Sequence, residues 1–457
     1  MFQSGIMLPQ LEAGPVPPLP AEVYAERRRR FMEQIGPNAA ALFVAAPVAV
    51  RSNDVEYAYR PDNDLLYLTG FPEPECACLL LPGHPEHEYV LFVRPFDSER
   101  QVWVGSHAGV EGAIRDYGAH RAFPIHQIDQ VVGELVSSRD ELYYRFGRDF
   151  EWNQRVVGWM RQWQQLRPRA GTGPVVLRDP ATILHEMRLR KAPVELERMR
   201  KAAQIAAAGH IRALTEVRPG MYEFEVEALL DSTFRRLGAT GPAYPSIVAS
   251  GPNATVLHYT HNNRALAAGE LLLIDAGAEY GFYCSDITRT FPVSDRFTAA
   301  QRELYQLVLA AQKAAISAVR PGARYDEPHR RAVEVLVDGL IHLGLLKGSR
   351  EENIEQERYR KFFMHRTSHW LGMDVHDVGQ YKQGQEMRCL EPGFVLTVEP
   401  GLYVREDCSE VPQEFRGLGI RIEDDVLVTD SGHEVLTALV PKEVSDIEAI
   451  RREAVTT

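Results

Sequence analysis

Acidic residues stand at the ends of apolar runs in the second half of this 457-residue chain. The run at 271–274 ends at Asp275, the run FVLTV ends at Glu399, and the alternating segment GIRIE ends at Glu423. Apolar runs of this kind are typical of strands that are buried on both faces. A carboxylate buried there is unfavourable unless a cation or a positively charged side chain accompanies it. The chain is therefore expected to fold around compensating positive charge.

The stretch after Asp275, AGAEYGFYCSDITRTFPV, predicts a β-hairpin that carries a second carboxylate on its returning strand. A turn centred between Tyr280 and Gly281 places Asp286 directly opposite Asp275, with the two Cβ atoms ~5 Å apart. Two buried carboxylates at that separation must share a proton or hold a cation between them. The alternative is a loop that separates the two side chains.

Three histidines follow in HRTSHWLGMDVHDVG, namely His365, His369 and His376. A histidine in isolation is more often an ordinary core or surface residue than a metal ligand. Four carboxylates and one imidazole, however, form a mainly oxygen ligand set that favours Mn²⁺, Fe²⁺ or Co²⁺ and leaves Zn²⁺ open. These ligands suffice for two ions that share a hydroxide, which predicts hydrolysis without a covalent intermediate.

Other catalytic motifs do not match the chain. Its Gly-containing loops fit neither a dinucleotide fingerprint nor a P-loop, and no GxSxG nucleophile elbow occurs. His365 and His369 have the i,i+4 spacing of a zinc metalloprotease helix, but Arg366 stands where that motif requires a glutamate. A zinc metalloprotease of that type would therefore lack its general base.

Charge and cysteine usage bear on partners and compartment. A net charge of −12 argues against nucleic acid or an anionic membrane surface as a partner. The N-terminus has neither the basic nor the apolar region of a secretory signal, and no apolar run approaches the ~18 residues of a membrane span. The five cysteines are scattered, and Cys76 and Cys78 are interpreted as small strand residues. We therefore expect a cytoplasmic protein without membrane contact.

Composition divides the chain into three parts. Residues 1–20 are proline-rich and predict a loose tail. Residues 21–176 alternate helix and strand, with a helix in AEVYAERRRRFMEQI and strands in AALFVAAPV, LLYLTGF, CACLLLPG and EYVLFVRP. A Pro/Gly-rich boundary at 167–174 then separates this domain from residues 177–457.

The C-terminal part shows one coarse rhythm twice. Two helices, at 193–217 and 222–237, precede strands at 244–249 and 270–293. Two further helices and their strands repeat the order, and these lie at 299–319, 326–344, 394–404 and 418–429. The rhythm predicts two similar α/β halves whose sheets face one another.

Four segments, IDAGAEYGFYCSDITRTFPV, HRTSHWLGMDVHDVG, LEPGFVLTVEPGLYV and GIRIEDD, together resemble the pita-bread metallopeptidases. That family includes aminopeptidase P, prolidase, methionine aminopeptidase and creatinase, and the resemblance covers roughly residues 180–440. The stretch RSNDVEYAYRPDNDLLYLTGFPEPE resembles the N-terminal domain of aminopeptidase P, which methionine aminopeptidase lacks. The implied fold class is α/β (α+β), with a creatinase-like domain at 21–176 and a pita-bread domain of two pseudo-symmetric halves at 177–457.

The resemblance also implies an activity. It points to a metallo-exopeptidase that hydrolyses the bond between an N-terminal residue and a proline in second position. Prolidase, which is restricted to dipeptides, and a non-catalytic pita-bread binding module are the alternatives. The implied cofactors are two divalent ions per subunit, with Mn²⁺ favoured over Zn²⁺ or Co²⁺. The implied assembly is a homodimer or homotetramer in which Trp103 reaches the substrate of a neighbouring subunit.

Roles follow by position from the same resemblance. The implied metal ligands are Asp275, Asp286, His369, Glu399 and Glu423. Glu399 also takes the proton from the attacking water. His258 faces the scissile carbonyl, His376 stabilises the tetrahedral intermediate and His365 helps to hold the substrate.

The resemblance also implies roles for residues that do not bind metal. The resemblance implies that Arg421 orients the carboxylates, although a purely structural counter-ion would look the same. Tyr403 is expected to line the site. Arg366 and Thr367 stand where many relatives have Gly-Leu, so Arg366 is expected to contact substrate. His261 shares a loop with His258, and one of that pair is expected to be incidental; Asp374 and Asp377 could be mere surface charge.

Overall fold

The computed structural model describes residues 11–456, except the side chains of residues 100, 455 and 456. These residues form two compact units, of which one is Pro18–Arg188 and the other begins at Leu189 and includes the segment before Pro18. The first ten residues of the predicted tail lie outside the described residues. Residues 11–17 of the tail belong to the second unit, where Arg198 Nη2 donates to the Pro17 carbonyl at 2.8 Å.

The first unit is built on a six-stranded mixed sheet flanked by helices. The strands of this unit are β1 Ala39–Val44, β2 Val50–Ser52, β3 Val55–Glu56, β4 Ala77–Leu80, β5 Tyr89–Val93, β6 Arg121–Pro124, β7 Glu141–Tyr143 and β8 Val176–Arg178. The six-stranded sheet has the order β6-β5-β4-β1-β7-β8, with β1–β7, β5–β6 and β7–β8 parallel and the other neighbours antiparallel, and β2 pairs with β3 outside it. Its helices are α1 Ala21–Ile35, α2 Asn63–Thr69, α3 Ser98–Val104, α4 Gly109–Arg115, α5 Ile128–Leu135, α6 Phe150–Ala170 and α7 Ala181–Leu189.

Helix α2 corrects one sequence prediction, since LLYLTGF was expected to be a strand. Every residue from Asn63 to Thr69 is buried, so the segment shows no amphipathic period that would identify a helix. Asp62 caps it by accepting from the Leu65 amide at 2.9 Å, and Gly70 ends it in the left-handed region. The predicted helix in AEVYAERRRRFMEQI and the other three predicted strands are confirmed.

The first unit ends later than the predicted boundary at 176. Helix α7 stays with it because Arg188, three per cent exposed, donates to Asp64 Oδ1 at 2.6 Å. His185 lies 3.1 Å from the other oxygen of the same carboxylate. Breaking this buried pairing would leave an uncompensated charge.

The second unit repeats its elements, as the rhythm of the sequence predicts. The first half contains α8 Pro193–Glu216, α9 Glu223–Arg236, β9 Gly241–Pro242, β10 Ile247–Ser250, β11 Leu271–Asp275, β12 Ala278–Tyr280, β13 Tyr283–Cys284 and β14 Thr288–Pro292. The second half contains α10 Ala299–Ala318, α11 Glu327–His342, α12 Arg350–Glu355, β15 Lys382–Gln383, β16 Glu386–Met387, β17 Val395–Val398, β18 Gly401–Val404, β19 Leu418–Arg421, β20 Asp424–Val428 and β21 His433–Val435. Helix α13 Val444–Thr456 closes the chain.

Small antiparallel sheets form the centre of this unit. One has the order β10-β11-β14, another β17-β20-β21, and β18 pairs with β19. A bridge between Thr288 and Glu423 joins the two halves, with the Glu423 amide donating to the Thr288 carbonyl at 3.1 Å. The sheet residues pack in one large apolar core with the helices. No helix of the described residues combines the length and the apolarity that crossing a bilayer requires.

A buried ionic network supports the backbone around Glu423, which lies between β19 and β20. The Asp424 carboxylate is fully buried and accepts from Arg289 Nη2 at 2.7 Å, Gln312 Nε2 at 2.7 Å and Lys442 Nζ at 2.5 Å. Burial opposes its ionisation, but Arg289 and Lys442 hold the pKa of Asp424 down to about 2. Arg289 also donates to the Glu423 carbonyl at 2.6 Å. The network fixes the backbone on both sides of Glu423.

Replacing Arg289 with methionine should destabilise the second unit. The substitution keeps an apolar stem but leaves Asp424 buried without its guanidinium, a change that typically costs about 3–5 kcal/mol. Urea unfolding followed by circular dichroism measures this. The matched control is Arg296→Met, whose exposed pair with Asp295 should contribute below about 1 kcal/mol. Equal midpoints for the two variants would contradict the assigned importance of the network.

Candidate metal centre

The five predicted metal ligands come from both halves of the second unit. Asp275 is the last residue of β11, and Asp286 lies between β13 and β14. Glu399 directly follows β17, and Glu423 lies between β19 and β20. His369 belongs to an irregular segment next to β17, where its amide donates to Thr397 Oγ1 at 3.1 Å. Short strands, together with the irregular segment beside β17, thus bring all five side chains to one cleft.

The predicted hairpin register is wrong by two positions. The turn residues are Gly281 and Phe282, both with positive φ (58° and 68°), so the strands pair around a later centre than expected. Asp275 stands opposite Thr288, not Asp286. A two-residue turn with positive φ at both positions matches the twist of an antiparallel pair, and the sequence pattern alone did not locate it.

Asp275 and Asp286 nevertheless meet at one phenol. The Tyr244 hydroxyl oxygen lies 2.6 Å from Asp275 Oδ1 and 2.5 Å from Asp286 Oδ1. One hydroxyl has one proton, so it can donate to only one of these carboxylates at a time. The second carboxylate oxygen therefore needs another proton or a cation, which is the condition that a metal ion meets.

His369 presents one nitrogen to the carboxylates. Its Nδ1 lies 2.9 Å from the Trp370 carbonyl, which can only accept, so Nδ1 carries the proton. Its Nε2 lies 3.4 Å from Asp286 Oδ2 and 3.8 Å from Glu399 Oε1. Ligand atoms of Asp286, His369 and Glu423 lie within 4.8 Å of one another. This tautomer is the one that a metal-binding histidine adopts.

Arg421 supports the carboxylate cluster through two hydrogen bonds. Its Nη2 donates to Asp275 Oδ2 at 2.6 Å, and its Nε donates to Thr288 Oγ1 at 3.0 Å. The Thr288 hydroxyl in turn donates to Glu423 Oε2 at 2.6 Å. Arg421 therefore contacts one predicted ligand directly and orients a second through Thr288, which goes beyond the role of a bulk counter-ion.

The crowded carboxylates have strongly altered acidities. Burial raises the pKa of Glu399 to about 7, against the attraction of His369 and Arg421. Burial and the neighbouring Asp286 and Glu399 raise the pKa of Glu423 well above its usual range. Burial opposes a charged imidazole, but Asp286 and Glu399 raise the pKa of His369 to about 9. Without cations, the clustered carboxylates and His369 therefore bind protons in the folded protein. Their oxygen and nitrogen atoms form a set of ligands that fits divalent ions.

The cleft around the cluster has a volume of about 410 Å³. Among the predicted catalytic residues, His258, His365, His376, Glu399 and Arg421 line it, together with the predicted substrate contact Arg366. His258 and His376 are exposed at the surface, and the ring of His376 packs edge-on against that of His369 at 4.4 Å between centroids. His261 packs against Tyr259 instead, at 6.0 Å.

Tyr403 lies behind the cleft wall, fully buried, where it links two other residues. Arg421 Nη1 donates to its hydroxyl oxygen at 3.0 Å, and His365 Nε2 lies 2.8 Å from the same oxygen. His365 Nδ1 lies 2.8 Å from the Arg366 carbonyl and must be its donor, so Nε2 accepts from Tyr403. Burial, with Arg421, lowers the pKa of His365 to about 3, which keeps this imidazole neutral.

Trp103 and Asp377, which the sequence analysis also singled out, do not line the cleft. Trp103 belongs to the first unit, in α3, where its side chain is 86% exposed. Asp377 is not surface charge: it is buried and lies 2.9 Å from Lys191 Nζ. The Asp377 amide donates to the Trp370 carbonyl, so this pair anchors the segment that carries His369 and His376.

Sequence reasoning missed Tyr244, Thr288 and Asp425. The Asp425 carboxylate accepts from the Asp286 amide at 3.1 Å, and its pKa is raised well above its usual range by burial and by Asp286. Thr288 begins β14 (TRTFP), which is buried along its whole length although Thr288, Arg289 and Thr290 are polar, and polar residues in such a strand are the signal that identifies it. Tyr244 lies 31 residues before Asp275 with no spacing that relates the two.

Comparisons with known proteins agree with this geometry. The model of metallopeptidase family M24 matches residues 197–430, and that of the aminopeptidase P N-terminal domain matches residues 24–143. The chain is 44% identical to the Xaa-Pro aminopeptidase of Escherichia coli (strain K12), over 93% of this chain and 97% of that protein. It is 34% identical to human Xaa-Pro aminopeptidase 3, over 97% and 89%.

Solved structures are similar over nearly the whole chain. Aminopeptidase PepP of Pseudomonas aeruginosa superposes with a TM-score of 0.94 at 48% identity, covering 96% of this chain and 99% of that one. Zinc-substituted aminopeptidase P of Escherichia coli, in complex with product, superposes with a TM-score of 0.92 at 43% identity, covering 96% and 99%. At these identities the likeness extends beyond the fold.

The metal-free protein should lose stability as pH rises. Burial raises the pKa of Glu399 from 4.5 to about 7, and, against the effect of burial, Asp286 and Glu399 raise the pKa of His369 from 6.5 to about 9. Raised folded pKa values stabilise below the unfolded pKa, and this stabilisation is lost as pH rises through the folded value. Each pKa unit corresponds to about 1.4 kcal/mol, so the thermal midpoint should fall by roughly 5–10 °C between pH 5 and pH 9.

Thermal unfolding after dialysis against a chelator measures this change, and the metal-loaded protein is the control. Bound ions replace the protons, so the loaded protein should not show the fall. A metal-free midpoint that rises across the same range would contradict the assigned acidities.

Proposed function

The chain belongs to metallopeptidase family M24, and from this membership we propose how its clustered ligands remove an N-terminal residue that precedes proline. It is a metal-dependent aminopeptidase, as its Xaa-Pro aminopeptidase relatives are. The observation that carries the proposal is the meeting of Asp275 and Asp286 at one phenol, beside an imidazole whose Nε2 faces the carboxylates. Such a group of anions fits cations better than it fits any apolar or anionic ligand.

Asp275, Asp286, His369, Glu399 and Glu423 are proposed to hold two divalent ions. When bound, the ions supply Lewis acidity for the scissile carbonyl and lower the pKa of the attacking water. Four carboxylates and one imidazole suit Mn²⁺ well and also accept Zn²⁺ or Co²⁺. The zinc-substituted relative shows that a similar protein can be loaded with another metal.

Glu399 is proposed as the general base. Its pKa of about 7 lies where a carboxylate can both take and return a proton near neutral pH. Its Oε2 lies 3.6 Å from His365 Nδ1, so the carboxylate has a neutral neighbour on that side. The proton that Glu399 takes from water can then pass to the leaving imide nitrogen.

The exposed histidines are proposed to face the substrate. Burial and His369 lower the pKa of His376, so it is a neutral donor at pH 7. His376 and His258 can donate to the oxygen of the scissile carbonyl as negative charge develops on it. His365 has both nitrogens engaged by protein, so it is proposed to position Glu399 and the substrate through its ring.

The preference for proline is supported by the character of the cleft wall. Ile247, Leu257, Val375 and Pro245 line it beside the polar cluster. A proline nitrogen lacks the N–H that would otherwise need an acceptor, and its ring gains from apolar contact. These side chains are therefore proposed to receive the pyrrolidine ring.

Assembly and compartment are also proposals. Trp103 is exposed with Val102 and Val104 beside it, and apolar side chains so grouped favour contact with another subunit. We infer a homodimer or homotetramer in which Trp103 contacts a neighbour's substrate. All five cysteines are free thiols, which suits the reducing cytoplasm.

A peptide series tests the activity. With Mn²⁺, the protein should release alanine from Ala-Pro-Ala and should leave Ala-Ala-Ala essentially uncleaved, as amino-acid analysis would show. Ala-Pro distinguishes the prolidase alternative, which requires the dipeptide to be the better substrate. Cleavage of Ala-Ala-Ala at a comparable rate would contradict the proline preference.

Asp286→Asn should remove metal and most activity. The amide cannot supply the anionic oxygen that faces His369 and Tyr244, and loss of one ligand typically lowers affinity and rate by at least about 100-fold. Metal per chain is measured by elemental analysis on the same sample as the rate. The control is Asp430→Asn, an exposed carboxylate of the same unit. Full metal content in Asp286→Asn would exclude it as a ligand.

A further inference from the structure

A second cavity adjoins the catalytic cleft. It has a volume of about 320 Å³ and shares Arg366 and Ser368 with the cleft, so these two residues form the common wall. Its volume is within the range that a small-molecule or peptide side chain site requires. None of the five metal ligands lines it.

The common wall carries unused hydrogen-bonding capacity. Ser368 is only 8% exposed, and its hydroxyl has no hydrogen-bond partner among the described residues. A buried hydroxyl without a partner is unfavourable, and such groups usually await a ligand or an ordered water. The Ser368 carbonyl, in contrast, already accepts from the Tyr325 hydroxyl.

Arg366 supplies positive charge at the same place. Its side chain is exposed and makes no hydrogen bond or ion pair with any residue of the described chain. The acidic residue of the cavity, Asp326, is engaged by Arg324 at 3.0 Å. Burial, with Arg366, lowers the pKa of His329 to about 4, so that imidazole is neutral and offers no competing charge. The guanidinium is therefore available to an anion.

Two aromatic residues, Tyr325 and Tyr381, also line the cavity and pack on Trp370 behind them. Tyr381 stacks on Trp370 at 5.4 Å between centroids with an interplanar angle of 13°, and Tyr325 packs on both rings at 4.7 Å. Met387 also lines the cavity. The cavity thus combines one free cation and one free hydroxyl with a rigid apolar surface, which is the chemistry that an amino-acid residue ending in a carboxylate requires.

Resting on the proposed function, we propose that this cavity binds the residue after the proline and that Arg366 pairs with a carboxylate on it. Substrates that extend one residue past proline would then be favoured when they carry that charge. The carboxylate is either the free C-terminus of a tripeptide or an acidic side chain at the third position, and both present the same group to Arg366.

Three peptides distinguish these sources: Ala-Pro-Ala, its C-terminal amide, and the amide of Ala-Pro-Asp. The metal-loaded enzyme should show kcat/KM for the free acid roughly tenfold above that for the Ala-Pro-Ala amide, through KM, as one charge-assisted hydrogen bond would give. Ala-Pro-Asp amide should recover the rate if a side chain can reach Arg366. If it does not recover, the site is specific for the C-terminus.

Arg366→Gln should bring the ratio of acid to amide close to one, and Arg366→Lys should retain part of it. The control is Arg320→Gln, which removes an exposed arginine that lines neither cavity. Ser368→Ala should raise KM for Ala-Pro-Ala more than KM for Ala-Pro, since the dipeptide ends before the cavity.

Two results would overturn the inference while leaving the proposed function standing. The first is a wild-type enzyme that cleaves acid and amide equally well. The second is an Arg366→Gln variant that loses as much activity on Ala-Pro as on Ala-Pro-Ala, which would place the guanidinium in the main cleft. An enzyme that cleaves no proline peptide would instead remove the proposed function, and this inference with it.

Discussion

Mutual repulsion among buried carboxylates is the constraint around which the second unit is built. Asp275, Asp286, Glu399 and Glu423 share one cleft, and the Arg421 guanidinium alone cannot balance four such charges. Without cations the folded chain raises the pKa of three of them and charges His369. The same side chains are the proposed ligands of divalent cations. The altered acidities and the proposed metal site are thus two consequences of one arrangement.

The architecture delivers these charges by using the same elements twice. Each half contributes two long helices and short strands, and the four clustered carboxylates stand at strand ends or directly next to them. The bridge between Thr288 and Glu423 joins the halves at the centre of the site. The buried pairs of Arg289 with Asp424 and of Lys191 with Asp377 then fix the backbone next to Glu423 and His376. Rigid support of this kind keeps ligands in place when the metal is exchanged.

Hydrogen bonds extend from the cluster to the substrate side. Arg421 donates to Tyr403, Tyr403 donates to His365, and His365 donates to the Arg366 carbonyl. This chain ends at the wall shared by the cleft and the second cavity. Arg366 therefore lies where the cleft meets the second cavity, the place proposed above to receive the C-terminal side of the peptide.

The sequence by itself determined the residue types and the repeated order of elements. Acidic residues at the ends of apolar runs identified the cluster, and helical periodicity located α8, α9, α10 and α11 to within two residues. The resemblance to the pita-bread family, which the comparisons support, rested on the same segments. A short stretch of sequence carries this information because the spacing of apolar residues along a helix, and the apolar run of a buried strand, are both visible within a few residues.

Only the tertiary structure decided which distant groups complete the site. Tyr244 joins Asp275 to Asp286, and Lys191 pairs with Asp377, although no sequence period relates these positions. Arg366 borders two cavities whose other walls come from distant parts of the chain. The hairpin register also depended on the two left-handed turn residues, and helix α2 is buried all round, so neither left a periodic pattern. Contacts between distant segments and the conformation of single turn residues are settled by packing, and packing exists only once the chain has folded.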